Sequence, residues 1–133
     1  MLQTTTLALE DAKRVAAAAR AEAEKNGWAV VIAVLDEGGH LMYLERMDGT
    51  QKASSRIAEE KGRTAILFKR PTKALEDNIL EGRTAMLALP GAVPLEGGIP
   101  LLKDGRLFVG GIGVSGVQSF QDGIVARAGA AVL

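Results

Sequence analysis

Lys61 is the side chain whose place in the sequence most restricts what it can do. It falls four residues after Ile57 and four before Ala65. That puts it on the apolar stripe of a helix that the spacing of Ala53, Ile57, Ala65 and Phe68 predicts over Gln51–Phe68. An ammonium there has to snorkel, pair with an anion or meet a ligand. Meeting a ligand, it could act as a general acid/base or stabilise charge.

A second candidate is Gly111-Ile112-Gly113-Val114-Ser115-Gly116, which fits G-x-G-x-x-G after a predicted strand and before a predicted helix. No further strand carrying an acidic residue about 20 positions on follows it, so the dinucleotide fingerprint is only half present. Two readings remain open: glycines for close backbone packing, or an anion held by the amides of Val114 to Gly116.

His40 is the one histidine. Beside Gly38 and Gly39 it reads either as a turn residue or as one axial ligand to a haem. Met42 and Met47 read as core or turn residues. Asp122 lies three after Ser119, the spacing of a capping box. Arg46, Asp48 and Arg70 sit at predicted element ends, where binding groups collect and where surface charge is also the default. Asp36, Glu37 and Glu96 offer carboxylates, but no spacing singles out an acid/base pair, and no nucleophile–base arrangement can be read.

The elements that must position these residues follow from periodicity. An alanine-rich amphipathic helix is predicted over Leu9–Asn26, ended by Gly27. Ala29–Asp36 is a continuous aliphatic run too short for a helix, hence a central strand covered on both faces. Leu41–Arg46 completes a first hairpin. After the Gln51–Phe68 helix, with Gly62 in its middle implying close backbone approach, Pro71 stops the chain. Thr72 is placed to cap a short helix through Leu80. LPGAVPLEGG, residues 89–98, reads as a loop with at most one short strand. Asp104-Gly105 marks a second hairpin, its first strand an edge because of Pro100. In the outgoing strand, Leu107–Val114, alternation puts Leu107, Val109, Gly111 and Gly113 on one face, against which a helix or a flat ligand must pack closely. A last helix runs from Ser119 towards Leu133. The tally of helix, hairpin, helix, connector, hairpin, helix is an α+β, three-layer arrangement.

Composition bounds the function. The chain reads as one domain over residues 1–133, with 47% hydrophobic residues and 16 basic against 16 acidic side chains. That balance gives no field favouring nucleic acid. The absence of cysteine excludes thiolate chemistry, and no apolar stretch approaches the ~20 residues needed to cross a bilayer. A cytoplasmic protein that engages neither nucleic acid nor membrane is expected.

Three segments, LDEGGHLMYLERMDG (residues 35–49), AEEKGRTAILFKRPT (residues 58–72) and GGIPLLKDGRLFVGGIGVSG (residues 97–116), resemble the small haem-binding, GlcG/HbpS-like family along essentially the whole chain. The resemblance implies a profilin-like three-layer sandwich, with a five-stranded antiparallel sheet flanked by helices, assembled into a homo-oligomer. Some members handle haem or corrinoid. The family's motif positions fall on Arg46, Asp48, Lys61, Thr64, Arg70, Gly97, Gly98, Gly111, Gly113, Ser115, Gly116 and Asp122. There are two departures. Ala8 replaces the threonine that usually begins the first helix, and that helix lacks the histidine found in some haem-binding relatives, a departure that counts against axial ligation from that helix.

The expected function is binding of a small ligand, haem or another tetrapyrrole, accessory to a metabolic pathway. The expected cleft is floored by the glycine strand and rimmed by Lys61, Arg46 and Arg70. One alternative is a small catabolic enzyme acting on a carboxylated or carbonyl metabolite, with Lys61 and the Gly113–Gly116 amides in the site. The other is an accessory subunit using the alanine-rich helix as its interaction face.

Overall fold

The computed structural model describes all of residues 1–133. Helix α1 spans Leu9–Lys25, and strands β1 (Val31–Asp36) and β2 (Leu41–Arg46) form the first hairpin. Helices α2 (Ser54–Phe68) and α3 (Thr72–Leu80) follow, then a 3-10 turn over Thr84–Ala88. The second hairpin is β3 (Gly98–Lys103) and β4 (Leu107–Ser115), and α4 (Ser119–Ala130) closes the chain. The hairpins join through β1 and β4 into one antiparallel sheet of order β2-β1-β4-β3.

The sheet therefore has four strands, not the expected five. The segment between α2 and β3 supplies no strand. It runs as α3, the 3-10 turn and a loop holding Pro90 and Pro94, which cannot donate to a ladder. The four strands are those of the two hairpins already visible in the residue pattern.

Alternation along β1 divides the core. Ile32 and Val34 face α1 and α4, while Val31, Ala33 and Leu35 face α2 with Ala58. All five are fully buried, as a doubly covered strand requires. α1 presents Ala12, Val15, Ala16, Ala19 and Ala23 to the sheet and α4. Small side chains let the two helices approach closely: a Cβ at Gly129 would sit 3.0 Å from the Val15 carbonyl oxygen.

The other face is tighter. The buried stripe of α2 is Ser54, Ala58, Lys61, Gly62, Ala65 and Ile66, about one residue around from the Ala53–Ile57 stripe expected. Mostly small residues, with Ile66 at the end of the stripe, face the sheet because the opposing β4 surface is bare glycine. A Cβ at Gly113 would collide with the Ala58 carbonyl oxygen, and one at Gly111 would lie 2.5 Å from that of Gly62. The close partner of the glycine strand is thus a helix, and no space for a flat ligand remains between them. Val109 is not on that face. Leu102 pairs with Phe108 and Leu101 with Gly110, which leaves Val109 unpaired in a β-bulge and turns it into the α1 side of the core.

α2 ends at Phe68 as expected, with Lys69 in the left-handed region (φ 54), but begins at Ser54 and not at Gln51. α4 is capped at Gln118, whose N–H donates to Gln121 Oε1 at 3.1 Å, so Asp122 is free of the capping role that its spacing from Ser119 suggested. At α1, Ala8 lacks a hydroxyl, yet its N–H still donates to Asp11 Oδ2 at 2.9 Å, keeping half of the capping box.

Candidate functional site

Lys61 is 2% exposed and so is Asp122. The ammonium donates to Asp122 Oδ2 at 3.0 Å and to the Val114 carbonyl at 3.1 Å. Asp122 Oδ1 accepts the Val117 N–H at 3.1 Å. Of the three fates open to a lysine on a buried stripe, pairing is the one observed. The pair ties α2 to the end of β4 and the start of α4. Burial pushes the Asp122 carboxyl above its ordinary value; the Lys61 ammonium and the Val117 N–H pull it back, and the nearby Glu96 charge adds to the rise.

Gly97 and Gly98 complete this centre. Gly97 has φ +133, and a Cβ there would be 2.9 Å from Lys61 Nζ. The Gly98 N–H donates to Thr72 Oγ1 at 2.8 Å. Ser115 Oγ bonds Ser54 Oγ at 3.1 Å. Thr64 Oγ1 donates to the Glu60 carbonyl and accepts the Val93 N–H at 2.9 Å, pinning the connector and not facing a cleft. A Cβ at Gly116 would lie 2.7 Å from the Ala29 carbonyl oxygen. Lys61, Gly97, Gly98, Ser115, Gly116 and Asp122 thus gather in one closed polar seam, with Gly111 and Gly113 under α2 beside it.

Arg46 and Asp48 lie elsewhere. Val31 pairs with Ser115 on one side and Arg46 on the other, so Arg46 ends its strand two strands away, roughly 10 Å across the sheet. With Asp48, Met47, Arg20, Glu24 and Glu45 it lines a shallow polar depression of about 420 Å³. Arg70 is at the opposite end of α2, exposed, its Nε donating to the Phe68 carbonyl at 3.1 Å. The three cations expected to rim one cleft are therefore dispersed by the fold, because α2 runs the length of the sheet between them.

His40 stands at that opposite end, roughly 17 Å of strand from the seam. Its side chain is 80% exposed. The turn beneath it is firmly built: Asp36 Oδ1 accepts the N–H groups of Gly38 and His40, each at 2.9 Å, and faces His40 Nδ1 at 3.2 Å. Burial would raise the Asp36 carboxyl, but those backbone donors and the imidazole together hold it below its ordinary value. A carboxylate can only accept, so in the neutral imidazole this contact assigns the proton to Nδ1 and leaves the lone pair on Nε2, the tautomer that binds metals. A ligating imidazole usually has its second nitrogen tied to a carboxylate in this way. A Cβ at Gly38 would lie 2.9 Å from the His40 ring, so a side chain there would press on the imidazole. Arg63 Nε donates to the Gly39 carbonyl at 2.9 Å, fastening the turn to α2. In the same turn Glu37 Oε2 is buried with no hydrogen-bond partner. Sequence reasoning passed over this Asp36–His40 pairing, although an aspartate ending a strand before two glycines is a turn-anchoring signal.

Two further clefts exist. One of about 270 Å³ is walled by Leu7, Val109, Val132 and Leu133 with Arg14 and Lys103 at its rim, and an apolar groove of about 220 Å³ lies among Ile79, Leu80, Leu87 and Leu95. Enclosed small-molecule sites occupy roughly 300–1,000 Å³. No helix is long and apolar enough to cross a membrane.

The fold and seam define a small α+β sandwich, four antiparallel strands between one helix and two, locked by a buried ion pair. The chain belongs to the HbpS-like family: the family model described as "Haem degrading protein HbpS-like" matches residues 7–131. Among relatives, it is 46% identical to protein GlcG of Escherichia coli K12 over 109 residues, 82% of this chain and 81% of that protein. The HbpS crystal structure superposes with a TM-score of 0.90 at 40% identity, covering 100% of this chain and 94% of the other. The structure of a PduOC–haem complex gives 0.85 at 28% identity over 97% and 96%.

Proposed function

We propose that the protein binds haem, or a closely related tetrapyrrole, at the open end of the sheet, with His40 Nε2 as the ligand to iron. The observation that carries this reading is the Asp36–His40 pair: an imidazole held by a carboxylate through Nδ1, in a rigid turn, with its other nitrogen facing solvent. Family membership and the haem held by PduOC support it. No cleft of the chain encloses His40, so the macrocycle would be carried on the surface, where it can be exchanged. Bound haem would supply a redox-active iron centre. What the chain contributes is the ligand, its tautomer and its orientation.

The enzyme alternative built on Lys61 and the Gly113–Gly116 amides finds no open space at those atoms, since Lys61 is buried and paired and Gly113 is covered by α2. A cytoplasmic, homo-oligomeric haem carrier accessory to metabolism fits the balanced charge and the lack of a membrane-crossing helix.

The test is a haem titration of the purified protein followed by absorbance. A saturable Soret shift near one haem per chain is expected, and His40→Ala should abolish the shift while leaving the far-UV spectrum unchanged. A wild-type spectrum matched by His40→Ala would remove His40 as the ligand.

A further inference from the structure

The chain holds two asparagines, Asn26 and Asn78, and only Asn26 precedes a glycine. The Asn26-Gly27 pair sits where α1 hands the chain on towards β1. Asn26 caps α1 with helical backbone angles (φ −94, ψ −2), and Gly27 follows in the left-handed region at φ +72. The Trp28 N–H donates to the Ala23 carbonyl at 2.9 Å, and the Gly27 N–H donates to that of Glu24 at 3.1 Å. This double closure satisfies carbonyls that a helix end leaves without partners.

The Asn26 side chain fastens the same turn. Its Nδ2 donates to the Glu22 carbonyl oxygen and to Glu22 Oε2, each at 2.7 Å. Lys25, Asn26 and Gly27 are nevertheless exposed, and a Cβ at Gly27 would meet nothing within 4 Å. Water reaches the amide, and no neighbouring element braces the glycine.

An asparagine before a glycine can be attacked by its own chain, because no side chain on the next residue hinders the approach. The Gly27 nitrogen adds to Asn26 Cγ, its proton is lost to solvent, and ammonia leaves as a five-membered imide closes. Water then adds to either imide carbonyl. Opening the ring gives aspartate with the original main chain, or isoaspartate with the main chain rerouted through Cβ. Water is the one reagent consumed and nothing is oxidised or reduced. The step needs nitrogen and carbon brought into line. In the closed turn the Gly27 N–H is engaged by Glu24 and the amide by Glu22, so reaction proceeds when the last turn of α1 frays.

We propose that Asn26 is a self-modification site, its rate set by the Glu22 clamp, whose product unfastens the end of α1. A carboxylate at position 26 can only accept, and it would face two acceptors of Glu22, one of them charged. It would also stand at the helix end where the macrodipole disfavours negative charge. Isoaspartate further lengthens the main chain inside the Gly27–Trp28 closure. Trp28 packs against the α1 side of the core, so loosening this turn is felt at the entry to β1.

Purified protein aged in mildly alkaline buffer, then digested and mapped by mass spectrometry, reads the reaction directly. The Asn26 peptide should gain the mass of an amide-to-acid exchange and split into two isomers, at least about tenfold faster than the Asn78 peptide, where Ile79 follows. Glu22→Ala should speed the change. Asn26→Asp should lower the thermal unfolding midpoint and hasten hydrogen exchange at Trp28. Conversion at Asn26 no faster than at Asn78 would overturn the site. An unaltered rate in Glu22→Ala would overturn the clamp, and an Asn26→Asp variant matching wild type in both stability readouts would overturn the unfastening.

Discussion

Lys61 shares a 3.0 Å ion pair with Asp122 in a space from which both are almost wholly shut off from water. Taking away one partner leaves the other as an unbalanced buried charge, which costs about 3–5 kcal/mol, whereas exchanging both for apolar groups of similar size is often neutral. Lys61→Met should therefore lower the stability measured by urea unfolding by that amount. Lys61→Met/Asp122→Leu should recover most of it, and neither variant should change haem affinity beyond what instability explains. A single substitution costing under about 1 kcal/mol would mean the pair is not the lock that its geometry describes. His40 is the opposite case: its surroundings cost the fold little, and its oriented imidazole has no structural partner beyond Asp36. The two residues illustrate why burial has to be known before a titratable side chain is given a role. In this chain the cation is buried and paired, and the imidazole is exposed.

At the scale of elements, the seam between α2 and β4 rests on missing side chains. Gly62, Gly111 and Gly113 let two backbones touch, with the Gly62 Cβ position 2.9 Å from the Gly113 nitrogen and 2.5 Å from Leu35 Cδ1. Because the obstacle at Gly113 is a backbone carbonyl and not a flexible side chain, Gly113→Ala should destabilise by about 3 kcal/mol or more, at the upper end of overpacking costs. Gly27, which has open space but φ +72, makes the control: Gly27→Ala should cost roughly 1–2 kcal/mol, the left-handed penalty alone. Equal effects in thermal unfolding would show that conformational preference, and not close approach, explains both glycines. The same seam gives the glycine pattern of β4 a packing reason. The pattern records a helix crossing a strand at backbone distance.

Across the whole molecule stability is unevenly distributed. In β1 every residue from Val31 to Leu35 is buried, while in residues 72–96 only Thr72, Leu75, Met86 and Glu96 are. That connector is held mainly by the Thr64 and Thr72 hydroxyls. Amides of residues 81–95 should exchange with solvent faster than those of residues 31–35 by on the order of 100-fold or more, as expected when local opening exposes little buried surface. Uniform protection across both segments would mean the connector unfolds only with the core.

Helices, hairpins and the doubly covered first strand were legible in the residues, because periodicity and turn chemistry are local: Asp104-Gly105 makes its turn and Gly27 ends its helix whatever lies around them. Lys61 was legible as a residue under constraint, and Gly62 as a point of close approach. The fifth strand came from resemblance and not from residues, and the proline-bearing connector did not form it. What the sequence left open was settled by tertiary structure, for the reason that distance along the chain is no guide to distance in space. Lys61 meets an aspartate 61 positions away, and the glycine floor is filled by a helix whose facing stripe is mostly small residues. Arg46, Lys61 and Arg70 are parted by the length and width of one sheet. The pairing of Asp36 with His40 spans only four residues, but its meaning depended on exposure. Exposure depends on which elements pack around the turn, and residue types do not encode that directly.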